Sequence, residues 1–406
     1  MSEVLVVDDS QFMRTVLTTV LEEHDFDVVT ASDGETAIDA VATHEPDVIT
    51  MDVEMPGMGG IEAVEEIMNE RPTPILMLSA YTKEGADATL DALSRGAIDF
   101  LPKPSGEISA DIGQLEDELI ETVEAVQGAD VGTVAASRAA SAARTAADAE
   151  AVVREASATV EQALSSGESS STTFGGPTAG TTADGEPSIE AADDRAVPST
   201  YDGSPTIVIG ASTGGPRVLE RILSDLPAEL NARVLIVQHM PSSFTDRLSR
   251  RLDGFSEYDV REAADGARVT PGEALIARGD YHMEVAYSGP EHCKVRLTES
   301  ERLHGVRPAI DVTMLSAARE VDGALIGAAL TGMGRDGAQG ISAIKGVGGA
   351  TIAQDEASAP VYGIPKQAIA TGDVDRVVAD EDVVDTLVEI AIDQDESGPP
   401  EVDVNG

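Results

Sequence analysis

Along the first third of the chain, short apolar runs alternate with stretches whose apolar positions recur at helical spacing. The runs are Val4-Leu5-Val6-Val7, Asp27-Val28-Val29-Thr30, Asp47 to Met51, Ile75-Leu76-Met77-Leu78 and Ala97 to Leu101. Between them the segments Ser10 to Glu23, Glu35 to Thr43, Gly60 to Arg71, Glu84 to Arg95 and Leu115 to Val126 follow a helical period. The pattern predicts five strand–helix units and a parallel, doubly wound α/β sheet.

From 128 to 202 the composition shifts to Ala, Ser, Thr and Gly, with Phe174 and Tyr201 the only aromatics. The Ala-rich first half permits some helix. The second half, with the polar run Ser169 to Thr173 followed by Gly175-Gly176-Pro177, reads as a flexible linker. A second α/β pattern starts at 203, with strand-like runs at Thr206 to Ile209, Val234 to Val237, Ala274 to Ala277, Ala324 to Gly327 and Ala350 to Ala353. His282 to Tyr287 and Cys293 to Leu297 flank Ser288-Gly289-Pro290, which predicts a β-hairpin. The expected organisation is a domain over 1–127, a linker over 128–202, a mostly parallel α/β domain with a hairpin over 203–393, and an acidic tail over 394–406. No repeat of solenoid period is visible.

Composition narrows the chemistry. The 406 residues include 27 Lys and Arg against 74 Asp and Glu, a formal net charge of -47. Two domains of ordinary size can each bury a core at this length. Phosphate binding needs clustered cations, so nucleic acid is disfavoured, and anionic membrane surfaces equally. No apolar stretch approaches the roughly 20 residues of a membrane span, and direct membrane insertion is not expected. The start, Met1-Ser2-Glu3-Val4, lacks the cationic and apolar regions of an export signal, and the single cysteine, Cys293, cannot form an internal disulfide. Both fit a cytoplasmic protein. Cys293 lies in an alternating run and reads as a packed strand residue rather than a reactive thiol.

Candidate chemistry in the first domain sits at strand ends. Asp8 and Asp9 directly follow the first strand and Asp52 directly follows the third, which puts all three at the carboxyl edge of a parallel sheet. Converging carboxylates repel unless a hard divalent cation lies among them, and Mg2+ suits an all-oxygen set. Ser79 ends the fourth strand and Lys103 follows the fifth, adding a hydroxyl and a cation at the same edge. Such a site can take a phosphoryl group on a carboxylate. Acids at strand ends also cap helices, but five polar groups at strand termini favour a site. So do Pro56-Gly57-Met58-Gly59-Gly60 after Asp52, and Pro102 and Pro104 flanking Lys103.

In the second domain Gly210-Ala211-Ser212-Thr213-Gly214-Gly215-Pro216 follows a strand and opens a helix. Gly210 and Gly214 satisfy a G-x-S-x-G elbow, which holds a serine hydroxyl near backbone amides and a helix dipole. Gln238-His239-Met240-Pro241 ends the next strand, so His239 shares the sheet edge with Ser212. Asp336, in the Gly-rich Thr331 to Gly337 loop, offers a carboxylate to orient the imidazole. Alternatives remain: a Gly-rich turn that binds phosphate or merely bends, His282 or His304 as base, and Asp311 as acid. A dinucleotide fingerprint would want Gly where Ser212 stands. Asp311 reads as a cap for a helix from Val312 to Arg319.

The first set resembles a response-regulator receiver domain over residues 3 to about 126, a flavodoxin-like (βα)5 fold. The resemblance implies Asp52 as phosphoacceptor, Asp8 and Asp9 with Asp52 as Mg2+ site, Ser79 as switch hydroxyl and Lys103 as phosphate contact. The aromatic switch position falls on Phe100, where many receivers carry Tyr. The second set departs from the α/β-hydrolase order and resembles the catalytic domain of the chemotaxis protein-glutamate methylesterases, the CheB family. The resemblance rests on Gly210 to Pro216, Gln238 to Pro241, Gly279-Asp280-Tyr281-His282, Arg307-Pro308 with Asp311, and Thr331 to Gly334 with Asp336-Gly337. A receiver ahead of this domain is that family's architecture.

This resemblance implies Ser212 as nucleophile, His239 as base, Asp336 as orienter, and Thr213 and Met333 beside the oxyanion, with no cofactor in the esterase domain. It implies methylated chemoreceptors as substrates, a chemotaxis histidine kinase as phosphodonor, deamidation as a second activity, and inhibition by the receiver relieved on phosphorylation. The linker departs from the shorter one common in the family. About 75 flexible residues span roughly 45–50 Å, beyond the roughly 16 Å gyration radius of a 200-residue domain, which predicts weaker inhibition unless the Ala-rich part folds. A receiver-controlled hydrolase of a small ester or amide, and a non-enzymatic phosphorylation-gated binding protein, are the other classes consistent with the sequence.

Acid spread along the whole chain would repel itself at low ionic strength and is tolerable where salt screens it, so a salt-rich cytosol is expected. Unfolding measured against KCl concentration should show stability rising with salt; full stability in dilute buffer would contradict this reading.

Overall fold

The computed structural model describes residues 2–79, 82–103, 112–129, 131–132, 197 and 203–397. The linker expected over 128–202 lies outside the described residues except at 128–129, 131–132 and 197, as do Pro104 and the tail beyond 397.

The first domain builds five parallel strands, β1 (Glu3–Val7), β2 (Asp27–Ala31), β3 (Val48–Asp52), β4 (Ile75–Ser79) and β5 (Asp99–Pro102), in the order β2-β1-β3-β4-β5. Helices α1 (Gln11–Glu23), α2 (Gly34–His44), α3 (Gly60–Glu70), α4 (Lys83–Arg95) and α5 (Ile112–Gln127) follow the strands in turn. Residues along β3 and β4 are buried without interruption, which is why these runs carry no polar alternation. Short polar side chains start the helices: Ser10 accepts from Met13 N, Asp33 from Thr36 N and Thr82 from Gly85 N. The α3 start presses on the end of β3, where a Cβ on Gly60 would lie 1.9 Å from the Asp52 carbonyl oxygen.

The second domain has a seven-stranded parallel sheet in the order β15-β14-β13-β6-β7-β10-β8. Its strands are β6 (Thr206–Ala211), β7 (Arg233–Gln238), β8 (Asp259–Glu262), β10 (Glu273–Ile276), β13 (Leu325–Ala329), β14 (Ala350–Gln354) and β15 (Arg376–Val378). A small antiparallel sheet joins β9 (Arg268–Val269) to the hairpin β11 (His282–Ser288) and β12 (Cys293–Thr298). The helices are α6 (Gly215–Asp225), α7 (Ser242–Asp253), α8 (Ile310–Glu320), α9 (Ala338–Gly346), α10 (Ile364–Ala370) and α11 (Val383–Ser397). Because β6 lies between β7 and β13, strand order reverses beside it, and the carboxyl end of β6 opens on the crevice where such sheets bind ligands.

The elements that sequence patterning misses have a common cause. β8 reads Asp-Val-Arg-Glu and β15 reads Arg-Val-Val at the two sheet edges, where charged residues protect unpaired backbone and erase the apolar run. The strand expected at Ala324 to Gly327 runs instead from Leu325 to Ala329, with Gly327 lying against Ile341 and Ile344 of α9. Cys293 is buried in β12, as its pattern predicts. Asp311 is not a cap: α8 begins at Ile310 with Ala309 as its N-cap, and Asp311 lies in the first turn. Helix α11 runs to Ser397, past the boundary expected at 393.

Since nothing larger than hydrogen fits between Gly60 and the Asp52 carbonyl, Gly60→Ala should destabilise the first domain by about 1–3 kcal/mol. Thermal unfolding of the full chain with and without the substitution measures this.

Candidate active site

Strands β6 and β7 pair up to Ala211 opposite Gln238, and His239 N then donates to the Ala211 carbonyl at 3.1 Å. Ser212 and His239 are therefore the next residues along two adjacent strands, about 4.8 Å apart at the backbone. On the other side Ser212 N donates to the Thr331 carbonyl at 3.0 Å, beyond the end of β13. Gly332 follows at φ 152°, and a Cβ there would lie 2.6 Å from Ser212 Cβ, so glycine is required for this close approach. Gly214, at φ 77°, turns the chain into α6, and Gly215 N donates to the Ser212 carbonyl at 2.7 Å. The serine thus stands at the N-terminus of α6, where backbone amides and the helix dipole favour negative charge.

The imidazole and the carboxylate meet directly. His239 Nε2 lies 2.8 Å from Asp336 Oδ2. Asp336 is buried, and its oxygens accept from Ile310 N at 2.6 Å and Asp311 N at 2.9 Å, the first amides of α8. Burial opposes its ionisation, but the His239 hydrogen bond and charge and the two amides hold its pKa below the ordinary carboxylate value. Ser212 joins this pair through strand register; its described hydrogen bonds are those of its main chain.

The rival residues take supporting places. Burial pushes the His282 pKa down, and its Nδ1 accepts from Ala309 N at 3.1 Å while Nε2 faces the Glu301 carbonyl at 3.0 Å. That ring is a neutral structural clamp. His304 Nε2 lies 2.8 Å from Asp311 Oδ2 and 4.0 Å from Asp336 Oδ1, and Asp311 Oδ1 accepts from Gly340 N at 2.7 Å. Asp311 therefore joins α8 to α9 beneath Asp336.

Two residues that the sequence analysis quotes only as parts of motifs, without a role of their own, hold the nucleophile turn. Buried Gln238 donates from Nε2 to the carbonyls of Ser212 at 2.9 Å and His239 at 3.2 Å. Thr331 Oγ1 donates to the Thr213 carbonyl at 2.9 Å and accepts from Val361 N at 3.0 Å. Gln238 is the polar end of a wholly buried strand, and Thr331 follows the buried β13 by two residues. Met333 is half-buried and directly follows Gly332.

In the first domain, Lys103 Nζ lies 2.7 Å from both Asp8 Oδ2 and Asp52 Oδ2. Oxygens of Asp8, Asp9 and Asp52 lie within 4.8 Å of one another. Burial raises the Asp52 pKa, with Lys103 acting against it and Asp8 adding to it. Burial would lower the Lys103 pKa, but its bonds to Asp52 and Asp8 leave it raised. The buried Ser79 hydroxyl accepts from Thr89 at 2.7 Å and contacts the Gly85 carbonyl at 3.3 Å, both in α4.

The two sites are joined by a shared surface. Helix α4 packs on α6 and α7. The Phe100 ring stacks on Phe244 with centroids 4.3 Å apart, and Arg247 of α7 pairs with Asp87 of α4. Asp99, beside Phe100, lies close enough to the side chain of Thr213, the residue after Ser212, for that side chain to act on its ionisation. Burial pushes its pKa up to about 6, opposed by Thr213 and Phe100 N and reinforced by Glu118.

Among the described residues no helix is long and apolar enough to cross a membrane. Family models match at residues 207–387 (CheB methylesterase) and 4–110 (response regulator receiver domain). The chain is 50% identical over 394 residues to a protein-glutamate methylesterase/protein-glutamine glutaminase of Halobacterium salinarum, covering 97% of this chain and 98% of that one. Proteins of the same name from Haloarcula marismortui and Pyrococcus horikoshii are 46% and 40% identical, over 95% of this chain and 96% and 92% of theirs. With both domain models matched in sequence and relatives aligned from end to end, this chain belongs to the CheB methylesterase family, in the form that carries a response-regulator receiver ahead of the catalytic domain.

Proposed function

We propose that the chain hydrolyses γ-methyl esters of glutamyl side chains on chemoreceptors through Ser212, His239 and Asp336, and that phosphorylation of Asp52 controls this activity. The observation that carries the reading is the buried His239–Asp336 pair at the sheet edge that also holds Ser212. With Nε2 engaged by Asp336, the other ring nitrogen, Nδ1, is the one left to take the serine proton. Ser212 Oγ attacks the ester carbonyl, and the developing oxyanion is met by amides at the start of α6 and by that of Met333. Each such donor is worth about 3–4 kcal/mol. His239 returns the proton to the departing methanol. Water then cleaves the glutamyl-serine ester by the same route. Asp336 stays ionised throughout and stabilises the imidazolium. Deamidation of glutamine follows the same path with ammonia leaving.

Regulation rests on the receiver. The carboxylates of Asp8, Asp9 and Asp52 form an all-oxygen set compact enough for a hard divalent cation, and Mg2+ is the fitting one. When bound, Mg2+ would neutralise charge on the phosphoryl oxygens. Asp52 accepts the phosphoryl group from a histidine kinase, Lys103 balances the added charge, and Ser79 moves toward it. Ser79 is bonded to the first turns of α4, so its movement disturbs the helix that covers α6 and α7. The undocked population then grows and Thr213 is freed from Asp99.

Methanol release from labelled receptor membranes, with and without a small phosphodonor, is the deciding measurement. Ser212→Ala should reduce release to background, and Asp336→Asn should lower it by about 10³–10⁴-fold by misorienting the imidazole. Asp52→Asn should abolish the response to the phosphodonor while leaving unstimulated release. Undiminished release from Ser212→Ala would overturn the proposal.

A further inference from the structure

Behind the His239–Asp336 pair lie a second imidazole and a second carboxyl that have no part in the proposed reaction. Asp311 is fully buried, and His304 is largely buried with its Nε2 2.8 Å from Asp311 Oδ2. The other carboxyl oxygen, Asp311 Oδ1, accepts from Gly340 N at 2.7 Å in the first turn of α9. An acceptor oxygen facing a ring nitrogen at this distance takes its N–H, which assigns the His304 proton to Nε2. The Asp311 main chain continues the line. Its N–H donates to Asp336 Oδ1 at 2.9 Å, and Asp336 Oδ2 lies 2.8 Å from His239 Nε2. Four residues are thus strung in series, from His304 through Asp311 and Asp336 to His239.

The backbone under His304 points the same way. Leu303 and Val306 form an antiparallel bridge, and Val306 N donates to the Leu303 carbonyl at 3.1 Å across a two-residue turn. Both residues of that turn have positive φ, 55° at His304 and 80° at Gly305. Such a turn favours Asn-Gly, Asp-Gly or Gly-Gly. A side chain held in the left-handed region persists where its surroundings fix it, and such residues cluster at functional sites. Here the bond to Asp311 fixes the ring. Asn would suit the turn better, but its shorter side chain carries no donor to the place where Nε2 stands. The turn gives up local fit for reach.

We infer that His304 is a positioning residue for the hydrolysis: by donating to Asp311 it holds that residue's main-chain amide against Asp336, and so holds the aim of His239 at Ser212. Without the ring, the Asp311 carboxyl loses one of its two partners in an enclosed site and must turn to find another. The amide on which Asp336 Oδ1 depends moves with it. A small shift is enough, since a misplacement of about 1 Å away from the reacting atoms can cost about 100-fold in rate. This inference deepens the proposed hydrolase reading and rests on it.

The test is steady-state methanol release from methylated receptor membranes by the full chain with a phosphodonor present. Thermal unfolding of every variant sets an assay temperature below all the midpoints, so that lost stability is not read as lost rate. His304→Asn keeps the turn and removes the donor; kcat should fall about 10- to 100-fold while KM stays within about twofold. His304→Gln puts an amide N–H near the former Nε2 and should recover kcat to within about threefold of wild type. Asp311→Asn should lower kcat as well. The double variant of His304→Asn with Asp311→Asn should be no slower than the slower single variant, because the two residues act as one unit. A wild-type kcat in His304→Asn, a His304→Gln as slow as His304→Asn, or losses that multiply in the double variant would each overturn the inference. If the wild-type chain releases no methanol, or Ser212→Ala releases as much as wild type, the hydrolase reading itself fails instead.

Discussion

The catalytic domain depends on keeping one carboxylate charged where water does not reach. Asp336 is buried, and an ion in that position costs several kcal/mol unless its lone pairs are taken. Two amides at the N-terminus of α8 and the imidazole of His239 take them, and the helix dipole adds to the same effect. The geometry of the second domain follows from this arrangement. The Gly-rich loop after β13 must bring Asp336 across the carboxyl end of β6 to α8, and it does so only because Gly332 passes against Ser212 where a side chain would collide. Asp311 and His304 fill the space beneath, and Gln238 fixes the two carbonyls on either side of the crevice.

How far this could be read from sequence depends on how local each cause is. The buried strands of both sheets announce themselves as apolar runs, and the polar residues that end them, Asp8, Asp52, Ser79, Ser212 and His239, fall at the carboxyl edge because a parallel sheet puts them there. Asp336 was legible only through the motif around it. Its partners, two amides of a helix that begins 26 and 25 residues earlier in the chain, leave no mark on the local pattern. Asp311 misled for the same reason: an acid ahead of a helical stretch reads as a cap, but the capping oxygens came from Asp336 across the fold. Edge strands β8 and β15 were invisible since their exposure demands charge. Gln238 and Thr331 act through carbonyls, which carry no residue identity.

The surface between receiver and catalytic domain lies furthest from sequence, since its partners are contributed by segments separated by the linker. Its energetics nevertheless constrain how it works. An ion pair such as Asp87 with Arg247, in which the carboxylate is open to water and the guanidinium largely buried, is worth about 1 kcal/mol. An aromatic pair such as Phe100 with Phe244 adds about 0.5–1.5 kcal/mol beyond the area it buries. These sum to a few kcal/mol. Taking a two-state equilibrium from 1:99 to 99:1 requires about 5.5 kcal/mol, so directional contacts of this size can hold the receiver in place without locking it.

Asp99 sharpens that balance. Its folded pKa, near 6, is above the ordinary carboxyl value, so burial beside Thr213 favours the protonated form. The docked arrangement therefore gains most from Asp99 when the pH is below the free carboxyl value, and that gain is lost as pH rises through about 6. Near neutrality the residue is held against its preference for water, in the same strand that leads to Lys103. Lys103, which pairs with Asp52, thus follows the same short strand that Asp99 begins. Above that pH, part of the energy of this contact is therefore opposed within the folded chain itself.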